Sequence, residues 1–152
     1  MPDAIIQQAS LLAMLTQTKF FSGLSASQLS LVASVSQVEE WPSGHPIYKI
    51  GENAGTLYVL IDGMVRFAIS LGSRETSAGD ILHRGQVFGW SSLTPTSNIR
   101  LATATCITSC KALAIDGEGL SLIMEQDHTI GYRLMTQVTA LITGTLVAFA
   151  CG

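Results

Sequence analysis

The chain has 152 residues, of which 47% are hydrophobic and only 12% are charged. This length is typical of one domain with a sizeable core, and the composition excludes an intrinsically disordered chain. The net charge is −3 and the 8 Lys and Arg residues are scattered, which excludes the basic footprint of a duplex-DNA-binding surface. So few charges predict that another subunit or domain covers part of the apolar surface.

The cysteines and the two ends of the chain bear on its location. Cys106, Cys110 and Cys151 are odd in number, which predicts a reduced, cytoplasmic protein. The N-terminus lacks the basic start and cleavage site of a signal peptide. The apolar stretch 134–150 includes Gln137 and several threonines, so it is too short and too polar for a membrane span. We expect a buried helix there.

Two helices are predicted in residues 1–36. Apolar residues at helical spacing over 5–15 indicate the first helix. Ser25 precedes the second, and Gln28 follows three residues later, which is the pattern of a capping box.

Between residues 37 and 115 the pattern changes to short strands separated by turns. Asp62-Gly63 lies between two of these strands and is a strong hairpin signal. Gly72-Ser73-Arg74 predicts a second turn. The predicted strands are 45–50, 56–61, 64–71, 81–82, 86–88, 100–105 and 107–115. Such a series indicates a sandwich, roll or barrel.

Residues 116–150 are predicted to form two more helices, with Asp116 capping the first and a break at 127–129. Arg133 is the only charged residue in the last of them. An apolar stripe so wide predicts packing on both the roll and a second copy, and therefore a homodimer formed through this helix. The stripe comprises Ile130, Leu134, Val138, Leu141, Thr145 and Ala148, with Met135, Ile142 and Phe149 beside it.

Glycine-bearing segments occur in a fixed order along the strand region. They are Pro42-Ser43-Gly44, the run 51–63 (GENAGTLYVLIDG), Gly85-Gln86-Val87-Phe88-Gly89, and Arg100-Leu101-Ala102-Thr103. With the flanking helices, they resemble the cyclic-nucleotide-binding domain family of catabolite-activator-like regulators and kinase regulatory subunits. The resemblance extends from about residue 20 to 146. It implies one domain over 1–152 that is mainly β, a double-stranded β-helix or jelly-roll-like β-roll of eight strands with flanking helices.

The resemblance also implies a ligand site, the family's phosphate-binding cassette. It maps to Phe88, Gly89, Trp90, Ser91, Ser92, Arg100, Leu101, Ala102 and Thr103. In such a cassette, glycine lets the backbone approach an anion, a short helix offers free N–H groups, and arginine forks onto phosphate oxygens. The family has a glutamate for the ribose hydroxyl where this chain has Trp90, and a proline where it has Ile99. Loss of that carboxylate costs about 2–4 kcal/mol, or roughly 30- to 1000-fold in affinity.

Several cassette positions have two readings. Alternation places Arg100 on the face of Ala102 and Ala104, away from Ile99 and Leu101. As an isolated strand residue it would be exposed to solvent. Within the cassette it is expected to face an anion.

Three further side chains also leave alternatives open. Trp90 either stacks on a flat ligand or plugs the pocket with its own ring. Ser91 and Ser92 either donate to an anion or cap the short helix. Cys106 and Cys110, four apart in strand-like sequence, are expected to lie too far apart to hold one metal, and we predict no metal site.

No catalytic motif occurs in the sequence, which predicts a sensor or regulatory domain and not an enzyme. The expected ligand is a small anion such as cAMP or cGMP, with no cofactor assigned. The chain stops at Gly152 without a helix-turn-helix, so we expect no nucleic acid to bind this domain. The alternatives are a ligand-free dimerisation or interaction module with Trp90 in the pocket, a haem or redox sensor, and the sensor domain of a truncated transcription regulator.

Overall fold

The strands form two antiparallel sheets, with helices packed against the first. The computed structural model describes residues 2–71, 74–77, 81–94 and 98–151. The described strands are β1 (Ser36–Trp41), β2 (Pro46–Tyr48), β3 (Thr56–Asp62), β4 (Val65–Leu71), β5 (Arg74–Ser77), β6 (Val87–Phe88), β7 (Thr103–Cys106) and β8 (Cys110–Asp116). The described helices are α1 (Pro2–Thr16), α2 (Ala26–Ala33), α3 (Gly117–Gln126) and α4 (His128–Cys151), with 3₁₀ helices at Lys19–Phe21 and Trp90–Leu93. The predicted fold class is confirmed.

The first sheet has the strand order β1-β8-β3-β6, and the second has β2-β7-β4-β5. Strand β3 is buried on both faces. Leu57 and Val59 pack with the helices, whereas Tyr58 and Leu60 belong to the cluster between the sheets. Burial on both faces explains why this strand is a continuous apolar run without polar alternation.

Helices α2 and α3 begin where the sequence predicts. Ser25 and Gln28 form the capping box, since Gln28 N–H donates to Ser25 Oγ at 3.3 Å and Ser25 N–H donates to Gln28 Oε1 at 2.9 Å. Asp116 Oδ2 accepts from Gly119 N–H at 3.1 Å, as an N-cap does. The fully buried members of the helical core include Leu15, Val32, Leu120, Ile130 and Leu134.

The hairpin predicted at Asp62-Gly63 is wrong. Strands β3 and β4 lie in different sheets, so the turn carries the chain from one sheet to the other. Of the two turn residues only Gly63 has a positive φ, of 103°. A Cβ there would lie 2.5 Å from the carbonyl oxygen of Ser109, so this glycine is required by the close approach of β8.

Strand boundaries differ from the prediction wherever the chain bends between sheets. Strand β7 begins at Thr103, so Arg100–Ala102 precede it, and Ile107 lies in the β7–β8 loop. At 81–82 the structure has only an isolated bridge between Leu82 and Val65.

Two of the predicted connections between elements are shorter than expected. Helix α4 begins at His128, so Asp127 alone separates it from α3. Leu71 pairs with Arg74, which makes β4 and β5 a hairpin, while Gly72 and Ser73 lie outside the described residues.

Helix α4 is buried only along its first half. Ile130, Leu134 and Val138 are in the core, whereas Leu146 is 68% exposed. The predicted stripe members Ala148 and Phe149 lie outside the described side chains. Over the described part of the chain, none of the helices combines the length and apolarity needed to cross a membrane.

Candidate functional site

Gly89 occupies the turn between β6 and the 3₁₀ helix Trp90–Leu93. Its φ is +81°, in the left-handed region that favours glycine. A Cβ at this position would lie 2.9 Å from Arg100 Nη1 and 2.9 Å from the carbonyl oxygen of Thr56. Glycine therefore allows the guanidinium and β3 to meet at this turn.

Arg100 is the central residue of the site. The residue is only 4% exposed, so the isolated-strand reading of an exposed arginine is wrong. Its Nη1 donates to Gly89 O at 3.1 Å and its Nη2 donates to Thr56 O at 2.7 Å. Its Nε is buried without a hydrogen-bond partner.

The backbone of Arg100 is held before β7 begins. Its N–H donates to Glu52 O at 2.8 Å, and Gly51 N–H donates to Arg100 O at 2.9 Å. These bonds extend the β2–β7 pairing by a few residues beyond Tyr48, and Arg100 is thereby aimed into the roll instead of towards solvent.

The guanidinium of Arg100 is a buried cation, which an anion would stabilise. Burial lowers the pKa of its guanidinium, while Tyr48, Tyr58 and Glu52 act in the opposite direction. Both side-chain hydrogen bonds described for it end on neutral carbonyl groups. A buried guanidinium with an unused N–H is a favourable place for a carboxylate or phosphate oxygen.

Aromatic rings line the interior next to Arg100. Tyr58 and Phe88 are stacked with ring centroids 5.0 Å apart, and Tyr48 lies 6.2 Å from Tyr58. Phe88 was predicted as a site residue, whereas Tyr48 and Tyr58 were not. The pairing of β3 with β6 places Tyr58 beside Phe88, and the packing of the second sheet on the first brings Tyr48 of β2 to them. A single sequence holds no direct signal of either relationship.

Ser92 lies inside the short helix and bonds back to the turn before it. Its Oγ donates to Gly89 O at 2.9 Å, and its N–H donates to the same oxygen at 3.2 Å. Ser91 is buried, and its carbonyl accepts from the Thr94 hydroxyl at 2.9 Å. Neither serine caps the short helix, whose N-cap is Gly89 without a side-chain hydrogen bond, and a role of the serines in anion binding stays a prediction.

Trp90 does not fill the space between the two sheets. Its half-buried ring packs against the helical core outside the first sheet, whereas the cluster between the sheets contains Tyr58 and Phe88. Because strand β6 ends at Phe88, the following turn directs the next side chain towards the helices. The plug at this site is therefore not Trp90.

The remaining cassette residues, 101–103, follow Arg100 and lead into β7. Leu101 is exposed and Ala102 is half-buried. Thr103 Oγ1 accepts from Ile50 N–H at 3.0 Å, so this side chain stabilises the β2 end of the second sheet.

The expectation that Cys106 and Cys110 lie far apart is wrong. They end one strand and begin the next, in different sheets, and both side chains belong to the buried cluster between the sheets, where Cys110 Sγ donates to the carbonyl oxygens of Met64 and Thr108 at 3.3 Å. Burial and the neighbouring Cys110 thiol raise the pKa of the Cys106 thiol to about 12. Among the residues that the structure describes, no group of three or more His, Cys, Asp or Glu side chains is placed to hold a metal ion.

Helix α3 begins directly against the site. Gly117 N–H donates to Gly55 O at 2.9 Å, one residue before the Thr56 carbonyl that Arg100 binds. A Cβ at Gly117 would lie 3.0 Å from Ser92 Cβ. The 3₁₀ helix, the start of β3 and the start of α3 are therefore in close contact.

The comparison with known families identifies the family of this chain. The family model "Cyclic nucleotide-binding domain" matches residues 38–127, and the chain belongs to this family. The predicted resemblance is therefore confirmed.

Two curated relatives and one solved structure illustrate the similarity. The chain is 29% identical over 115 residues to the cyclic AMP receptor protein of Thermus thermophilus, covering 75% of this chain and 52% of that protein. It is 26% identical over 106 residues to the CRP-like cAMP-activated global transcriptional regulator of Mycobacterium tuberculosis, covering 70% of this chain and 47% of that protein. It thus spans about half the length of these relatives. The sensor domain of the transcriptional regulator DNR from Pseudomonas aeruginosa has the same fold, with a TM-score of 0.76, 17% identity, and coverage of 89% of this chain and 90% of that one.

Proposed function

We propose that this domain is a sensor, not an enzyme, and that it binds a small phosphate-bearing anion at Arg100 and Gly89, with a cyclic nucleotide as the first candidate. The observation that carries the proposal is the buried guanidinium of Arg100, whose Nε has no hydrogen-bond partner. A phosphate oxygen would supply both the missing acceptor and the missing negative charge. The names of the two curated relatives support cAMP as the ligand to test first.

The ribose side of the site is expected to differ from that of the family. Trp90 replaces the glutamate and packs towards the helices, so it supplies no acceptor for a ribose hydroxyl. We therefore expect affinity to depend chiefly on the phosphate contacts of Arg100. This predicts micromolar binding and weak discrimination between cAMP and cGMP, because both carry the same cyclic phosphate.

The response to a ligand is expected to pass to α3 and α4. An anion bound to Arg100 would compete with the carbonyls of Gly89 and Thr56 for the guanidinium. Those carbonyls adjoin the 3₁₀ helix and the loop that contact Gly117. A shift of these carbonyls would change the contacts that hold the start of α3. The ligand would then bias the population of positions that α3 and α4 adopt.

The partner proposed for α4 is a second copy of the chain. Beyond Val138 the helix presents exposed apolar side chains, among them Ile142, Leu146 and Val147. Apolar surface of this kind is stabilised by burial in a symmetric helix pair. Replacement of Leu146 by Glu should shift the protein from dimer to monomer in sedimentation equilibrium, and monomeric wild type would contradict the proposal.

The ligand proposal is tested by calorimetric titration with cAMP and cGMP. Arg100→Met should weaken binding by about 30-fold or more, since hydrogen bonds to a charged group contribute about 2 kcal/mol or more. Arg84→Met is the matched control, because Arg84 is exposed and bonds to Gln17 Oε1, and it should bind as wild type does. Absence of binding at millimolar nucleotide would reject a cyclic-nucleotide sensor and favour a ligand-free interaction module.

A further inference from the structure

Tyr48 covers one face of the Arg100 guanidinium. It is the last residue of β2, and its ring centroid lies 4.0 Å from Arg100 Cζ. The Tyr58 ring is farther away, at 5.9 Å from the same atom. At 4.0 Å the ring of Tyr48 makes a cation–π contact, which offsets part of the cost of burying the charge.

The ring of Tyr48 is itself held in place by its neighbours. It lies 6.2 Å from Tyr58 and 6.3 Å from Phe88 between ring centroids. Burial raises the pKa of its hydroxyl, so the side chain is a neutral ring at physiological pH and not a phenolate. It is therefore a non-ionic substitute for the anion that a guanidinium prefers.

The arginine is closed on its other sides as well. Two of its nitrogens bond to backbone carbonyls, and Nε is inaccessible to solvent. An anion cannot reach Nε in this arrangement unless a group moves. The carbonyls belong to β3 and the glycine turn, whereas Tyr48 is a side chain at the end of a three-residue strand. The side chain is the easier group to displace.

We propose that Tyr48 is a built-in cap on Arg100, which a ligand must displace and which thereby sets the threshold of the sensor. This inference rests on the proposed function and concerns the regulation of the same site. In the free protein the ring of Tyr48 stabilises the guanidinium of Arg100. A ligand binds only when that contact is lost, so its affinity is lower by the free energy of the contact. A phosphate-bearing ligand displaces the ring because charge-assisted hydrogen bonds are stronger than a cation–π contact.

The test compares Tyr48→Leu with Tyr48→Phe in calorimetric titrations with cAMP. Tyr48→Leu removes the aromatic face and should bind cAMP about 2- to 30-fold more tightly than wild type. Tyr48→Phe keeps the ring and should bind within about twofold of wild type by the same reasoning. Tyr132→Leu makes the same change at a residue that is 76% exposed on α4, and it should have no effect.

A second measurement uses wild-type sequence labelled with 3-fluorotyrosine. The chain has 3 tyrosines, and the fluorine resonance of Tyr48 is identified by its absence from Tyr48→Phe. Saturating cAMP should shift this resonance towards its solvent-exposed position. The position of this resonance tests the displacement of Tyr48 even if Tyr48→Leu fails to fold.

The outcomes separate the cap from the site. If wild type binds cAMP and Tyr48→Leu binds no more tightly, or if the Tyr48 resonance does not move at saturation, the cap is rejected and the proposed ligand site stands. If neither wild type nor Tyr48→Leu binds, both proposals are rejected. Binding by Tyr48→Leu alone would support a cap strong enough to keep the site closed.

Discussion

Nη1 of Arg100 donates a 3.1 Å hydrogen bond to the carbonyl oxygen of Gly89, 11 residues earlier in the chain. The same oxygen accepts from Ser92 Oγ. The glycine turn, the short helix and the arginine are thus joined at one acceptor. An anion that withdraws Nη1 from this carbonyl changes the hydrogen bonds at the start of the short helix.

Gly89→Ala should disrupt the site and destabilise the fold. A positive φ costs an L-residue about 1–2 kcal/mol, and contact of the new Cβ with Thr56 O and Arg100 Nη1 adds about 1–3 kcal/mol. Gly51→Ala is the matched control, because Gly51 has a similar φ of +88° with nothing within 4 Å, so only the first cost applies. Urea denaturation of both variants measures the difference, and equal losses would show that close packing at Gly89 is unimportant.

Gly117→Ala should loosen the contact between the site and α3. Its φ is not in the left-handed region, so the effect is steric, with the new Cβ about 3.0 Å from Ser92 Cβ. We expect a loss of about 1–3 kcal/mol and faster amide hydrogen exchange in α3. Gly144→Ala, on the exposed end of α4 with nothing within 4 Å, should instead gain about 0.5–1 kcal/mol. A stabilised Gly117→Ala variant would argue against the contact.

Asp127 should make stability depend on acid pH. A hydrogen bond from Gln28 Nε2 lowers the pKa of its carboxyl, with further help from the backbone N–H groups of Ile130 and Thr129 and from Arg133, while burial acts in the opposite direction. Because the pKa is lower in the folded state, the contribution is complete above the unfolded pKa of about 3.9. It is lost as pH falls through the folded value.

The test for Asp127 is the free energy of unfolding measured between about pH 6 and about pH 2. Asp127→Asn should flatten the decline below about pH 4. Glu125→Gln, which changes an exposed carboxylate on α3, serves as the comparison. A decline as steep in Asp127→Asn as in wild type would exclude Asp127 as its source.

The two buried thiols should be inert in the folded protein. With a pKa of about 12, Cys106 holds almost no thiolate near neutral pH, and the thiolate is the reactive form. In a Cys151→Ser background, a disulfide reagent at mildly alkaline pH should react slowly with native protein and rapidly with two thiols after denaturation. Rapid reaction of both thiols without denaturant would show that the β7–β8 corner opens readily.

Local features could be predicted because they depend on neighbouring residues. The Ser25–Gln28 capping box and the Asp116 cap need only a side chain and the N–H groups three residues away. Arg100 and Gly89 were identified through the resemblance of their motif. The geometry between them, however, depends on Thr56 of β3, which no local pattern connects to either residue.

The errors occur where strands change sheets. The Asp62-Gly63 pair is a hairpin signal in isolation, but in this fold it lies between strands of different sheets. Cys106 and Cys110 were treated as parts of one extended segment, whereas the loop between them brings both side chains into one buried cluster. Turn residues specify that the chain reverses, and the pairing partners that satisfy the backbone hydrogen bonds decide which sheet it joins.

The sequence by itself determined that helices flank a region of short strands, the caps of α2 and α3, the apolar strand β3 and the family to which the chain belongs, because each follows from local spacing or from a motif. It did not predict β1 or β5 as separate strands. Only the tertiary structure decided that Tyr48 lies over Arg100, that Trp90 faces the helices, and that the guanidinium is buried on carbonyls. Those relationships join residues of β2, β3, β6 and the segment before β7. They arise from the packing of one sheet on the other, which depends on long-range pairing and not on local sequence.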